Sequence, residues 1–287
     1  MFYLASGILC NVLLLVVIKA FGKFGIPTIQ GIVVNYFTAG TTALFFVQDK
    51  IIVEQIIQSD WIKASVVLGF LFISIFYLIS VTAQKISISV ASVANKMSVV
   101  IPVIAAFILY GDSITVFKIS GILLAMIAVY FTTKSDNNRA GKNSAFLLPV
   151  LIFIGSGIID AIINYANKQL IHSASEDALF TSASFYMAGV IGLFCLLYLL
   201  LIKKEKFVAK SILGGICLGV PNFFSIYFIL KALSAGVMES SQLYPVANIF
   251  IVLLSALAGV VLFREKLSKT NIIGIVFSVC AIVLIMI

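Results

Sequence analysis

The chain has 287 residues, of which 62% are hydrophobic and only 10% are charged, with a formal net charge of +8. Water-soluble domains carry about 45–50% apolar and 25% charged residues, so the composition excludes a soluble enzyme and points to a polytopic membrane protein. The basic residues sit mostly in short loops, where they read as topology signals at anionic lipid and not as a nucleic-acid surface.

A helix needs about 20 mainly apolar residues to cross a bilayer. Ten such spans are predicted, at 2–19, 28–47, 62–83, 86–110, 114–133, 146–169, 178–202, 208–231, 235–263 and 267–286. The expected fold is therefore all-α. Residues 1–18 lack a basic leader and a small-residue cleavage site, so they read as the first span and not as a signal peptide. No connection is long enough for a folded extramembrane domain. The polar stretch 134–145 (KSDNNRAGKNSA) is the best boundary, dividing the chain into 1–133 and 146–287 with five spans each.

The two halves read as repeats. Tyr110 to Ile114 followed by Gly121-Ile122 matches Phe263 to Leu267 followed by Gly274-Ile275, at a constant spacing of 153 residues. The same spacing sets Asn95 on Asn248, Ser89 on Gln242, Ser87 on Ser240 and Ala128 on Ala281. Five is odd, so repeats of five spans have opposite orientations, a pattern found in carriers with interrupted polar helices at the midplane. Loops after odd-numbered spans hold thirteen Lys and Arg, and even-numbered loops or their flanks hold five. The positive-inside rule then puts odd-numbered loops in the cytoplasm and both termini outside.

The fourth span carries the densest polar pattern, SISVASVANKMSVVIPV over Ser87–Val103. At about 100° per residue, Ile86, Val90, Val93, Met97, Val100 and Ile101 form one apolar arc, predicted to face lipid. Small and polar residues including Asn95, Ser98 and Pro102 fill a second side, and Ser89, Ser92 and Lys96 a third. A lysine in mid-membrane costs about 2.5–3.5 kcal/mol on insertion scales, so it needs a partner or water. The sixth span places Gly157, Asp160, Asn164, Asn167 and Lys168 on one stripe. Asp160 is thus a candidate counter-ion for Lys96 or a proton carrier.

Asn11, Asn35 and Asn222 fall near mid-span on three further helices, and Tyr244, Gln242 and Asn248 belong to the polar face of the ninth. A shared polar cavity is the economical explanation for this depth. Lys96, Asn95, Asp160, Asn164, Asn248, Tyr244, Gln242, Asn222, Asn11 and Asn35 are the expected solute-binding residues. Tyr77, Tyr165 and Tyr227 are weaker candidates for aromatic walls, Glu239 for a helix-start role, and Trp61 for an interfacial anchor. Gly215 to Gly219 and Ala39 to Ala43 have the small-xxx-small spacing of close helix contacts. The four cysteines lie in apolar runs without a CxxC pair, and His172 is isolated, so neither disulfides nor a metal site is expected. No nucleotide-binding or hydrolase motif occurs, so no cofactor, ATP-driven step or enzymatic activity is expected.

Val90 to Ala94 (VASVA), Ile101 to Val103 (IPV) and Tyr110 to Ser113 (YGDS) in one half, with Tyr244 to Val246 (YPV) and Phe263 to Ser268 (FREKLS) in the other, are similar to EamA-type transporters of the drug/metabolite transporter superfamily. The resemblance covers both halves. It maps the repeat's helix-four proline onto Pro102 and Pro245 and the acid after that helix onto Asp112 and Glu265. It implies ten helices in two inverted five-helix repeats around a cavity that opens to alternate sides, in a bacterial inner membrane. It also implies both termini in the cytoplasm, opposite to the charge count. The expected function is a secondary carrier, most simply an exporter, of a small polar or zwitterionic metabolite, with a coupling proton as candidate partner. The competing expectation is a non-transporting interaction or lipid-handling scaffold with a structural polar core.

Overall fold

The computed structural model describes residues 1–47, 56, 58–110, 115–133, 142–171, 173–235 and 240–286. Among the described residues there are eleven α-helices and no strand: α1 (Phe2–Phe24), α2 (Thr28–Leu44), α3 (Ile62–Lys85), α4 (Ile88–Met97), α5 (Val100–Tyr110), α6 (Val116–Thr133), α7 (Lys142–Gln169), α8 (Ala174–Leu201), α9 (Lys210–Ser234), α10 (Ser240–Phe263) and α11 (Lys269–Met286). Nine segments among the described residues, with α4 and the start of α5 counted as one, are long and apolar enough to cross a membrane. α2 is a tenth at 17 residues. The protein is an integral membrane protein.

The fourth span departs from expectation by breaking. Pro102 has no N–H, and its ring crowds the carbonyl four residues back, which is Ser98. The chain leaves the α ladder there: Ser98 and Val99 form a turn, and Ile101 N–H donates to the Ser98 carbonyl at 2.9 Å, one residue short of helical spacing. Pro245 lies near the start of α10, where fewer ladder bonds are at stake, and α10 remains continuous.

The apolar arc of α4 does not face lipid. Val90, Val93, Met97 and Val100 are all buried, the last three in a cluster with Ala125, Val252 and Ile282. Leucine-like surface packs equally well on lipid and on neighbouring helices, so amphipathicity alone did not distinguish them. Trp61 is also internal, 2% exposed and edge-on to Phe180, and is not an interfacial anchor.

α6 packs along α11, and α2 packs against both α8 and α9. α1 lies on α9 and α10, α3 on α7 and α8, and α4 on α7 and α10. Small residues set the closest approaches. A Cβ on Gly219 would lie 2.6 Å from the Asn35 carbonyl oxygen, and one on Gly215 2.4 Å from Val34 Cβ, so α9 and α2 meet backbone to backbone. A Cβ on Gly121 would meet the Ala281 carbonyl oxygen at 2.9 Å and the Ile285 side chain at 2.7 Å. One on Gly274 would meet the Ala128 carbonyl oxygen at 2.9 Å and the Thr132 side chain at 2.5 Å. Gly40 sits against Tyr186, and Gly189 against Phe37.

Candidate functional site

α4 ends at the break with its carbonyls unpaired by the helix ladder, and Lys96 stands in that last turn. A cation is favoured at a helix C-terminus, where the partial charge is negative. Lys96 Nζ donates to Asn11 Oδ1 at 3.4 Å, and Asn11 Nδ2 in turn donates to the Gly7 carbonyl at 3.0 Å, which fixes the amide with its oxygen towards the lysine. The Ser98 hydroxyl, at the break itself, lies within reach of the Asn95 carbonyl and of Asp160 Oδ2 at 3.4 Å. Its single proton can go to only one of them at a time.

These groups surround a cavity of about 170 Å³ between α1, α2, α3, α4, α7, α9 and α10. Lys96, Asn95, Asp160, Asn11 and Asn222 line it, as the sequence predicts. Asn35 stands one layer behind, fully buried, with its Oδ1 accepting from Asn222 Nδ2 at 3.1 Å. Lys96 and Asp160 face the same space and act on each other electrostatically across it, without a direct ion pair, so the counter-ion relation is one across the cavity and not a contact.

Other expectations are corrected too. Asn164 is exposed on α7 beyond the cavity, and neither Asn248 nor Tyr244 lines it. The spacing of 153 residues set Asn248 opposite Asn95, but the continuous α10 does not reproduce the broken α4. The side chains of Gln242 and Glu239 lie outside the described ones, as does Asp112. Tyr77 and Tyr165 are exposed, and Tyr227 belongs to an aromatic cluster with Phe46 and Phe223.

The aromatic wall is instead Tyr36, Phe72 and Phe76. Tyr36 is held by its hydroxyl donating to the Phe72 carbonyl at 2.8 Å and by ring contacts to Phe72 and Phe76. Ser156 and Ser225 also line the space, and the buried Ser156 hydroxyl has no protein partner. Both serines were legible in principle, since Ser156 lies one turn before Asp160 and Ser225 one turn after Asn222.

The cavity has two unlike ends. Directly after the lining residue Ile18, Lys19 pairs with Glu265 at 2.5 Å. The same carboxylate accepts the Ile88 N–H at 3.1 Å, where α4 begins. Beside it, Gln84 Nε2 donates to the Ile18 carbonyl at 3.1 Å and lies within hydrogen-bond reach of the Thr28 hydroxyl. This end, next to the loops richest in lysine, is tied shut across α1, α2, α3, α4 and the segment after α10.

Toward the other end, α7 shows two opposite faces. Leu147, Leu151, Ile154, Ile158 and Tyr165 form an exposed apolar face, while Ser156, Asp160, Asn164 and Asn167 lie about 180° away at ~100° per residue. Asp160, Asn164 and Asn167 are nonetheless exposed. They continue the cavity's polar side as a stripe along α7 toward its C-terminal end.

No family model matches the chain. A protein of Haemophilus influenzae (strain ATCC 51907 / DSM 11121 / KW20 / Rd), described only as uncharacterized, is 30% identical over 286 residues, covering 97% of this chain and 95% of its own length. The chain belongs to the same family as that protein. A solved structure, described only as the crystal structure of a protein, superposes with a TM-score of 0.63 over 98% of this chain and 97% of its own, at 13% identity. At that identity the likeness is one of fold alone.

Proposed function

We propose that this chain, and with it the family it shares with the Haemophilus influenzae protein, is an EamA-type secondary carrier in a bacterial inner membrane, moving a small polar or zwitterionic solute outward by alternating access. The observation that carries the reading is the central cavity. It holds one charge of each sign, not in direct contact, at a broken helix, with one end tied across by Lys19 and Glu265. A purely structural polar core would bring Lys96 and Asp160 into direct contact, because an intramembrane charge without a partner is costly. At about 170 Å³ the cavity has room for a small polar solute.

The helix contacts support two inverted repeats. Exchanging each span with the one five places on turns the α2–α9 contact into α8–α3, α1–α9 into α7–α3, and α1–α10 into α7–α4, all of which occur. The glycine contacts are reciprocal as well. Gly121 meets Ala281 and Ile285, and Gly274 meets Ala128 and Thr132, which are the same positions 153 residues apart. Such mutual contact is what a two-fold axis produces.

The state described would then be the one closed on the lysine-rich side. Solute exchange requires a second state in which the Lys19–Glu265 tie opens and the α7 stripe closes, with the solute contacting the two states differently. The test is labelling of single cysteines, in a background lacking the four native ones, at Ser156 in the cavity and at Leu15 nearer the tied end. Each should react from either side in proteoliposomes, with candidate zwitterions slowing the reaction. Labelling of neither position from either side would overturn the carrier reading.

A further inference from the structure

Outside the central cavity, a second space of about 670 Å³ opens on the flank between α2, α3 and α8, lined by Pro27, Thr28, Ile29, Tyr77, Phe194, Cys195, Tyr198, Leu199 and Glu205. Its floor is aromatic and apolar. Tyr77 lies eight residues before the end of α3, so the groove reaches about 12 Å from the loop level into the bilayer at ~1.5 Å per residue. Its single charged lining residue is the carboxylate of Glu205, at the loop end.

That carboxylate is placed by a pinned loop. Lys204 adopts a left-handed conformation, φ 54°, which folds the chain back so that Glu205 N–H donates to the Leu199 carbonyl at 3.1 Å. On the other side, the buried Gln30 of α2 donates through Nε2 to the Lys206 carbonyl at 3.0 Å. Its Oε1 accepts the Val208 N–H at 2.9 Å and the Ser211 hydroxyl at 3.0 Å. Glu205 itself is exposed and, among the described residues, in no ion pair, between the exposed Lys203, Lys204 and Lys206. An acidic group at the mouth of an apolar groove, flanked by ammonium groups at headgroup depth, is the complement of a zwitterion attached to a hydrocarbon chain.

We propose that this groove binds a membrane phospholipid with a primary-amine headgroup. The lipid ammonium meets Glu205, its phosphate meets the flanking lysines, and an acyl chain lies along Tyr77, Phe194 and Tyr198. The site does not depend on solute transport and would exist in a scaffold as well. A choline headgroup cannot donate a hydrogen bond to Glu205, and a glycerol headgroup brings it no positive charge. Both should bind less well.

Cys195 lines the groove and is exposed, so it reports occupancy directly. The full chain with Cys10, Cys217 and Cys280 replaced by serine is placed in phosphatidylcholine nanodiscs, with or without phosphatidylethanolamine or phosphatidylglycerol. The rate of Cys195 alkylation by a lipid-soluble maleimide is then read. Phosphatidylethanolamine should slow it about fivefold, the scale of one exposed charge pair. Glu205→Gln, a conservative change at an exposed position, should remove that protection while the thermal midpoint stays unchanged. Equal rates in all three lipids, stronger protection by phosphatidylglycerol, or protection that survives Glu205→Gln would each overturn the proposal.

Discussion

Two sets of opposite charges lie within the helix bundle, and they are built differently. Lys19 and Glu265 touch at 2.5 Å, are largely buried, and share the load with the Ile88 N–H. Lys96 and Asp160 face one cavity without touching, and each leans on a neutral group at 3.4 Å, Asn11 in one case and Ser98 in the other. A charge satisfied by its opposite holds backbone elements together. A charge satisfied by long contacts to neutral dipoles remains free to exchange them for a solute. The first pair is therefore read as architecture and the second as site, although both lie on the same α1–α4 seam.

The largest expected break in this comparison is at Glu265. Glu265→Ala leaves Lys19 buried without its counter-charge, which should cost about 3–5 kcal/mol, read as a lowered thermal midpoint. Lys19→Met with Glu265→Leu should recover most of it, because an apolar pair of similar volume is often neutral. A midpoint unmoved by Glu265→Ala would show that the contact holds nothing.

Lys96→Met and Asp160→Asn should behave in the opposite way. Each should reduce solute flux in proteoliposomes about 100-fold, or ~2.8 kcal/mol at 1.4 kcal/mol per tenfold, while the thermal midpoint changes little. Strong destabilisation in both, with no solute found, would erase the distinction and return the pair to a structural role. Asn222→Ala sharpens the comparison further. It strands the buried Asn35 carboxamide, whose Nδ2 already lacks a partner, and should cost about 1–3 kcal/mol in both stability and solute affinity. The smallest effect is expected from Tyr36→Phe, which removes one hydrogen bond to the Phe72 carbonyl. It should cost about 1 kcal/mol of stability, read as a small drop in the thermal midpoint, and leave the ring wall in place.

The spans were legible because ten apolar runs of bilayer length admit few other readings. The cavity was legible at five positions because a lysine, a carboxylate and asparagines at mid-depth have nowhere else to go. Three features were not. The burial of Val93 and Met97 escaped notice because lipid and helix neighbours are equally apolar. The break at Ser98–Val99 escaped because a proline can bend a helix, interrupt it, or sit harmlessly near its start, as Pro245 does. The Lys19–Glu265 tie escaped because its partners are 246 residues apart, beyond any local spacing rule. In the sequence Lys19 reads only as a loop charge.

The glycines of α9 carry a mechanical consequence. Where Gly215 and Gly219 press on α2, little more than hydrogen separates the two backbones, so the two helices can only travel as one plank. Tyr36 and Asn222 ride on that plank, fixed with respect to each other. On the opposite side, Lys96 stands at the end of a span already cut at Ser98 and Val99, facing Asp160 on the unbroken α7. In the proposed carrier, closure on a solute would bring the Lys96 segment toward the plank, with the cut as its flexing point.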